Sequence, residues 1–240
     1  MITLSIAYTC YNEEDLVINN INKIKKIINK VKNIKYEIIV IDDNSNDDIS
    51  KLNYFCKKNK ITLIKNTVNK GFFKCFIKAI IYSKYKYFKL FAGDDCTNLN
   101  DVVKIFKLIN NKTDIIIPYN YQKEVDGKPF LRKILSNYYT FLVNLLSGLN
   151  LKYYNGLPVY NRIKALENLP DASGYGWQAE LLVNCIYDGM SFNQIYTKTK
   201  EIKFSYSSVK IKNIPSVIFT LIRILFKRLS PSRKKLNLNY

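Results

Sequence analysis

The 240-residue chain contains no histidine. Without an imidazole there is no histidine base, histidine-activated nucleophile or histidine metal ligand, so carboxylates must carry any acid, base or metal chemistry. Its five cysteines, Cys10, Cys56, Cys75, Cys96 and Cys185, are odd in number and include no C-x-x-C pair. That argues against a disulfide framework or structural zinc and points to a reducing compartment. Neither G-x-G-x-x-G nor G-x-x-x-x-G-K-[ST] occurs, so a dinucleotide fingerprint and a P-loop are both unsupported. The first residues, MITLSIAYTCYNEE, lack a basic leading region and a small-residue cleavage site, so a cytosolic chain without a signal peptide is expected.

What is present is ordinary for a folded protein: 48% hydrophobic and 24% charged residues, enough for one large domain or a domain with an appendage. The formal net charge of +19 implies attraction to nucleic acid, phosphorylated small molecules or an acidic membrane face. The lysines are scattered and no DNA- or RNA-reading motif occurs, so a nucleic-acid partner is not expected. Oligomeric state is left open, a homo-oligomer included.

The chain is organised around Tyr87 to Cys96, YFKLFAGDDC, an apolar and aromatic run that halts at Ala92-Gly93 and sets down Asp94 and Asp95. It reads as a buried strand ending in a metal site, against the plainer reading of an acidic turn. Helical and strand periods alternate before it: Ile2 to Tyr8, then Glu13 to Val31 with Leu16, Ile21, Ile24, Ile27 and Ile28 at helical spacing, then YEIIVI at 36–41. A third strand at 61–65 and a fifth at 114–118 continue the pattern. Alternation of this kind predicts an α/β fold with a mostly parallel sheet, whose ligands bind at the strands' carboxyl ends. There the sequence places Thr9 to Glu13, Asp42-Asp43, Asn69-Lys70-Gly71 and Asp94-Asp95. Oxygen ligands favour Mg²⁺ or Mn²⁺, which bridge a substrate's phosphates with few protein ligands. Asp42 or Asp43 could accept a hydrogen bond from a base or ribose, and Tyr11 could stack on the base; a helix cap and core packing are the alternatives.

These segments, C10-Y11-N12-E13-E14, I41-D42-D43-N44-S45, N69-K70-G71 and A92-G93-D94-D95, resemble the successive motifs of family 2 glycosyltransferases, which have the GT-A fold. Further on, Arg132 to Ser136 with the following apolar stretch, the NGLPVY segment at 155–160 and GYGWQAE at 174–180 resemble the dolichol- or polyprenyl-phosphate sugar synthases. The resemblance spans about residues 1–210. It implies that Tyr11, Asn12, Glu13, Asp42, Asp43, Lys70 and Gly71 hold a UDP- or GDP-sugar, and that Asp94, with Asp95 as a second ligand, binds the metal at the diphosphate. Ala92 departs from the family's D-x-D, and Asn120 and Pro158 stand where the polyprenyl-phosphate enzymes commonly have arginine.

In the second half, Arg132 and Ser136 are four apart, so on a helix they share a face and could grip an acceptor phosphate. Pro215 to Ser230 has Ser216, Thr220, Arg223, Lys227 and Ser230 on one stripe and a wide apolar arc opposite. At about 24 Å it is too short for a hydrocarbon core of about 30 Å. It is expected to lie on an anionic bilayer as a peripheral anchor at the inner face of the cell membrane, helped by the basic tail, with residues 211–240 separate from a catalytic domain at 1–210 that binds nucleotide without them. A lipid-phosphate acceptor needs no general base. A saccharide hydroxyl acceptor, as in cell-surface polysaccharide synthesis, would need one, with Glu180 the candidate and Asp171 behind it. A nucleotidyltransferase or a catalytically inactive relative is the reading from another class.

Overall fold

The computed structural model describes residues 1–94, 98–121, 130–170, 174–198 and 213–229. The first half alternates as its periodicity requires: β1 (Ile2–Cys10), α1 (Glu14–Ile28), β2 (Ile34–Asp42), α2 (Ser50–Lys58), β3 (Thr62–Lys65), α3 (Phe72–Tyr82), β4 (Tyr87–Phe91), α4 (Leu99–Leu108) and β5 (Ile115–Tyr119). The second half adds α5 (Phe130–Ser147), β6 (Val159–Asn161), α6 (Arg162–Glu167), α7 (Trp177–Tyr187), β7 (Phe192–Tyr196) and α8 (Ile214–Leu229). Asp95, Cys96, Asp171 and the basic tail beyond Leu229 lie outside the described residues. So does the expected domain boundary at residue 210.

The strands form a seven-stranded sheet in the order β3-β2-β1-β4-β6-β5-β7. β1 pairs parallel with β2 and β4, β2 with β3, and β5 with β7. β6 is antiparallel to both β4 and β5, so those two strands still point the same way and their carboxyl ends share one edge. The strands buried on both faces read as near-continuous apolar runs, YEIIVI above all, because helices cover each side. One side is packed by α1, α2 and α4 through Val17, Ile21, Ile24, Leu52, Val102 and Phe106. The other is packed by α3, α5, α7 and α8 through Phe73, Phe76, Val143, Leu182 and Ile224.

Two local readings change. The inward stripe of α1 begins at Val17, fully buried, while Leu16 is half-exposed, because the helical period that reaches Ile21, Ile24 and Ile28 passes through residue 17. The central run YFKLF is not purely apolar in its role: Lys89 is buried in β4, its Nζ donating to the Leu157 carbonyl and lying 4.8 Å from the centre of the Phe91 ring. The aliphatic stem fills core space while the ammonium holds the loop before β6.

Candidate active site

The strand ends converge on a cleft of about 300 Å³ lined by residues from the β1 end (Thr9 to Tyr11, Glu13), the β2 end (Asp43), the start of α3 (Asn69, Gly71, Phe72) and the β4 end (Ala92 to Asp94). The parallel ladder makes this convergence unavoidable. Cys10 pairs with Asp42 and Tyr8 with Phe91, so the loops that follow β1, β2 and β4 start side by side. Two of these loops are cross-tied through asparagine. Asn12 and Asn44 both take positive φ, 57° and 61°, a conformation asparagine tolerates better than most residues. The Asn12 N–H donates to Ser45 Oγ at 3.0 Å, Asn12 Oδ1 accepts from the Asn46 N–H at 2.8 Å, and Asn46 Nδ2 donates to Tyr11 Oη at 3.3 Å. Ser45 Oγ in turn donates to Asp42 Oδ1 at 2.6 Å. Asn12 and Asp42 thus brace the β1 and β2 loops, and Tyr11 stands at the rim with 42% of its surface exposed.

Asp43 organises the loop that leads into α3. Its Oδ1 accepts from the Lys70 N–H at 2.9 Å and from Asn66 Nδ2 at 2.7 Å, and its Oδ2 accepts from the Gly71 N–H at 2.8 Å. Burial alone would raise its pKa, but the hydrogen bonds from Lys70, Asn66 and Gly71 outweigh it and hold the group below the ordinary carboxylate value. Lys70 and Gly71 therefore enter the site through their backbones; Gly71 supplies a φ of 80° just before α3, where a side chain would be strained although the space is open. The Cys75 thiol is a fourth, weaker partner, and Asp43 lines the cleft beside it.

Glu13 and Asp94 line the same cleft. Burial, and after it the charge of Asp94, raises the pKa of Glu13. Gly93 is needed here because a Cβ would lie 2.4 Å from Glu13 Oε2 and 2.8 Å from the Thr9 carbonyl. Asn20 Nδ2 fixes the turn by donating to the Gly93 carbonyl at 3.0 Å. The donor set, all carboxylate oxygen, suits a hard divalent ion. No group of three or more His, Cys, Asp or Glu stands together among the described residues, so Asp94 and Glu13 would offer such an ion few protein ligands and leave room for phosphate oxygens. The two thiols of the cleft are inert: burial pushes Cys10 up to about 11 and Cys75 up to about 12.

Glu180, Arg132 and Ser136 do not line the described cleft. Arg132 and Ser136 lie half-buried on α5, while Leu131, Ile134, Leu135 and Tyr138 on its other side are exposed. Glu180, in the first turn of α7, is gripped through both oxygens: Arg223 Nε donates to Oε1 at 2.7 Å and Nη2 to Oε2 at 2.8 Å. α8 docks by its polar stripe. Thr220 is fully buried, and Ser216 and Thr220 come so close to Gly174 and Gly176 that a Cβ on either glycine would lie 2.9 or 2.5 Å from them. This explains the glycines of the GYGW segment, which sequence patterning alone had no means of interpreting. Arg228 donates to the Leu145 carbonyl at 2.8 Å in the last turn of α5, where a cation complements the helix dipole.

A family model described as Glycosyl transferase family 2 matches residues 5–170, most of the chain. An uncharacterised protein of Methanocaldococcus jannaschii is 25% identical over 219 residues, 87% of this chain and 96% of that one. The dolichol-phosphate mannosyltransferase of Pyrococcus furiosus is 28% identical over 137 residues, 55% of this chain but only 38% of that enzyme. Among solved structures, glucosyl-3-phosphoglycerate synthase of Mycobacterium tuberculosis, in complex with Mn²⁺, UDP and glucosyl-3-phosphoglycerate, superposes with a TM-score of 0.66 at 16% identity, over 94% of this chain and 79% of that chain. Mannosyl-3-phosphoglycerate synthase of Rubrobacter xylanophilus gives 0.69 at 15% identity, over 95% and 74%. The mixed sheet flanked by helices is thus the GT-A fold, and the chain belongs to glycosyltransferase family 2.

Proposed function

We propose that the protein transfers a sugar from a nucleotide-diphosphate donor to a polyprenyl phosphate at an anionic membrane surface. One observation carries the choice of acceptor: α5 and α8 pack together and turn a joint apolar face outward. Phe130 and Phe141 on α5 are 79% and 59% exposed, and Phe219 and Phe226 on α8 are 60% and 66% exposed. Leu131, Ile134, Leu145, Ile218, Ile222 and Leu229 extend the same face. Contiguous exposed apolar surface of this extent marks an interaction site, and two packed helices with aromatic residues suit the boundary of a bilayer. No described helix is long and apolar enough to cross a membrane, so the helices would lie in its plane.

In this reading Tyr11 stacks on the base, Asp43 accepts from it, and the backbone of Lys70 and Gly71 shapes the wall beside it. Asp94, with Asp95 and Glu13, would hold Mg²⁺ or Mn²⁺, which neutralises the diphosphate when bound. An acceptor phosphate oxygen, already anionic, forms the new bond to the sugar's anomeric carbon as the bond from that carbon to the diphosphate breaks. The electron pair leaves with the nucleotide diphosphate, and no general base is required. Arg132 and Ser136, on the half-buried side of α5, are the residues proposed to hold the acceptor phosphate. A saccharide hydroxyl acceptor would instead require a free carboxylate base, and Glu180 could serve only after Arg223 released it.

The test is incubation of the purified chain with radiolabelled UDP- and GDP-sugars, Mn²⁺, and either polyprenyl phosphate in anionic vesicles or water-soluble phosphorylated acceptors. Label extracted into organic solvent only when the lipid is supplied supports the proposal; label confined to a water-soluble product would replace the lipid acceptor with a soluble one.

A further inference from the structure

We infer that α8 is a positioning element of the donor cleft, acting through the Arg223–Glu180 pair and Trp177, and is not a detachable anchor. The inference rests on the reading of that cleft as a nucleotide site. It begins with the ion pair. The Glu180 side chain is 7% exposed and Arg223 closes both of its oxygens, so loss of the guanidinium strands a buried carboxylate. Trp177 lies three residues before Glu180 on α7, so the two side chains are neighbours on one helix surface. The Trp177 ring then meets the start of α3, its centre 6.1 Å from Phe72, 5.0 Å from Phe73 and 4.7 Å from Phe76. Phe72 and the preceding Gly71 line the cleft, and the Gly71 N–H is one of the donors that hold Asp43.

α7 therefore links the ion pair with α8 to the ring cluster beside the carboxylate that this reading places at the base. The loop leading into α7 has no room for a Cβ at Gly174 or Gly176, so α8 is seated closely against it. A buried charge that loses its partner moves toward water, and the first turn of α7 is the part able to move, carrying Trp177 off Phe72. Arg223 and Glu180 touch no donor atom in this account; they set the position of residues that do.

Trp177 is the only tryptophan of the chain, which makes it a built-in reporter. The 240-residue wild-type chain, Arg223→Ala, Arg223→Lys and Glu180→Gln would be titrated with UDP and with GDP by calorimetry, with tryptophan emission recorded alongside and circular dichroism checking the fold. Arg223→Ala should red-shift the emission and weaken binding of the preferred nucleotide roughly 3- to 30-fold, with Arg223→Lys in between. If Arg223→Ala fails to fold, Arg223→Lys and Glu180→Gln carry the same readout. A folded variant whose nucleotide affinity equals that of wild type overturns the inference, whatever its emission. Wild type that binds neither nucleotide overturns the donor reading itself, a result distinct from an unchanged variant.

Discussion

Replacing Asp43 by alanine removes the acceptor for three hydrogen bonds at once, from the Lys70 and Gly71 N–H groups and from Asn66 Nδ2. A hydrogen bond to a charged group contributes about 1.5–3 kcal/mol, so the raw sum is about 4.5–9 kcal/mol. Most of that will not be lost. Lys70 is exposed and Gly71 half-exposed, so water can reach both N–H groups in the variant, whereas Asn66, 5% exposed, keeps only the long contact to Cys75 Sγ at 3.6 Å for its amide hydrogens. A net loss of about 2–4 kcal/mol is expected, which for a chain of this size is about 4–16 °C in Tm. Asp43→Asn should fall between, since one oxygen survives while the new amide meets an N–H donor. The pH dependence follows from the depressed pKa. The native carboxyl releases its proton more readily than the unfolded one, so its stabilisation is complete above about pH 4 and fades as pH falls through the lower native value. Acid unfolding of Asp43→Asn should lack that component. Thermal melts from neutral pH down to about pH 3 would measure both effects. An Asp43→Ala protein within about 0.5 kcal/mol of wild type, with the same acid profile, would refute the view of Asp43 as the brace of this loop.

Gly93→Ala forces a Cβ against Glu13 and the Thr9 carbonyl and should destabilise by about 1–3 kcal/mol; unchanged melting would remove the packing argument. Phe219→Asp with Phe226→Asp should lower partition onto anionic vesicles by roughly 100-fold or more, read by sedimentation, with added salt weakening the wild type further. The four described cysteines are buried, and burial raises Cys10, Cys56 and Cys75 to about 11, about 11 and about 12, so a thiol reagent at pH 8 should label at most one of the five thiols until the chain is unfolded.

Which parts of this protein were legible in its sequence follows from the range of the forces involved. The α/β alternation, the runs buried on both faces and the polar strand ends are local patterns, and a parallel sheet brings carboxyl ends together whatever the side chains do. Tyr11, Glu13, Asp43 and Asp94 could therefore be placed on one edge from periodicity, and the motif spacing carried the family. The amphipathic stripe of α8 was equally visible, but not which side would meet the protein. Only the fold could decide that, because the partner of Arg223 lies 43 residues away on α7 and the room for Thr220 exists only where Gly176 lacks a Cβ. The same holds for Lys89, whose charge is satisfied by a carbonyl 68 residues distant, and for Asp43, which read as a ligand in sequence and in the fold is first the acceptor that holds the neighbouring loop. Hydrophobic period is written into consecutive residues; the pairing of a buried charge is a long-range choice that exists only once the elements are packed.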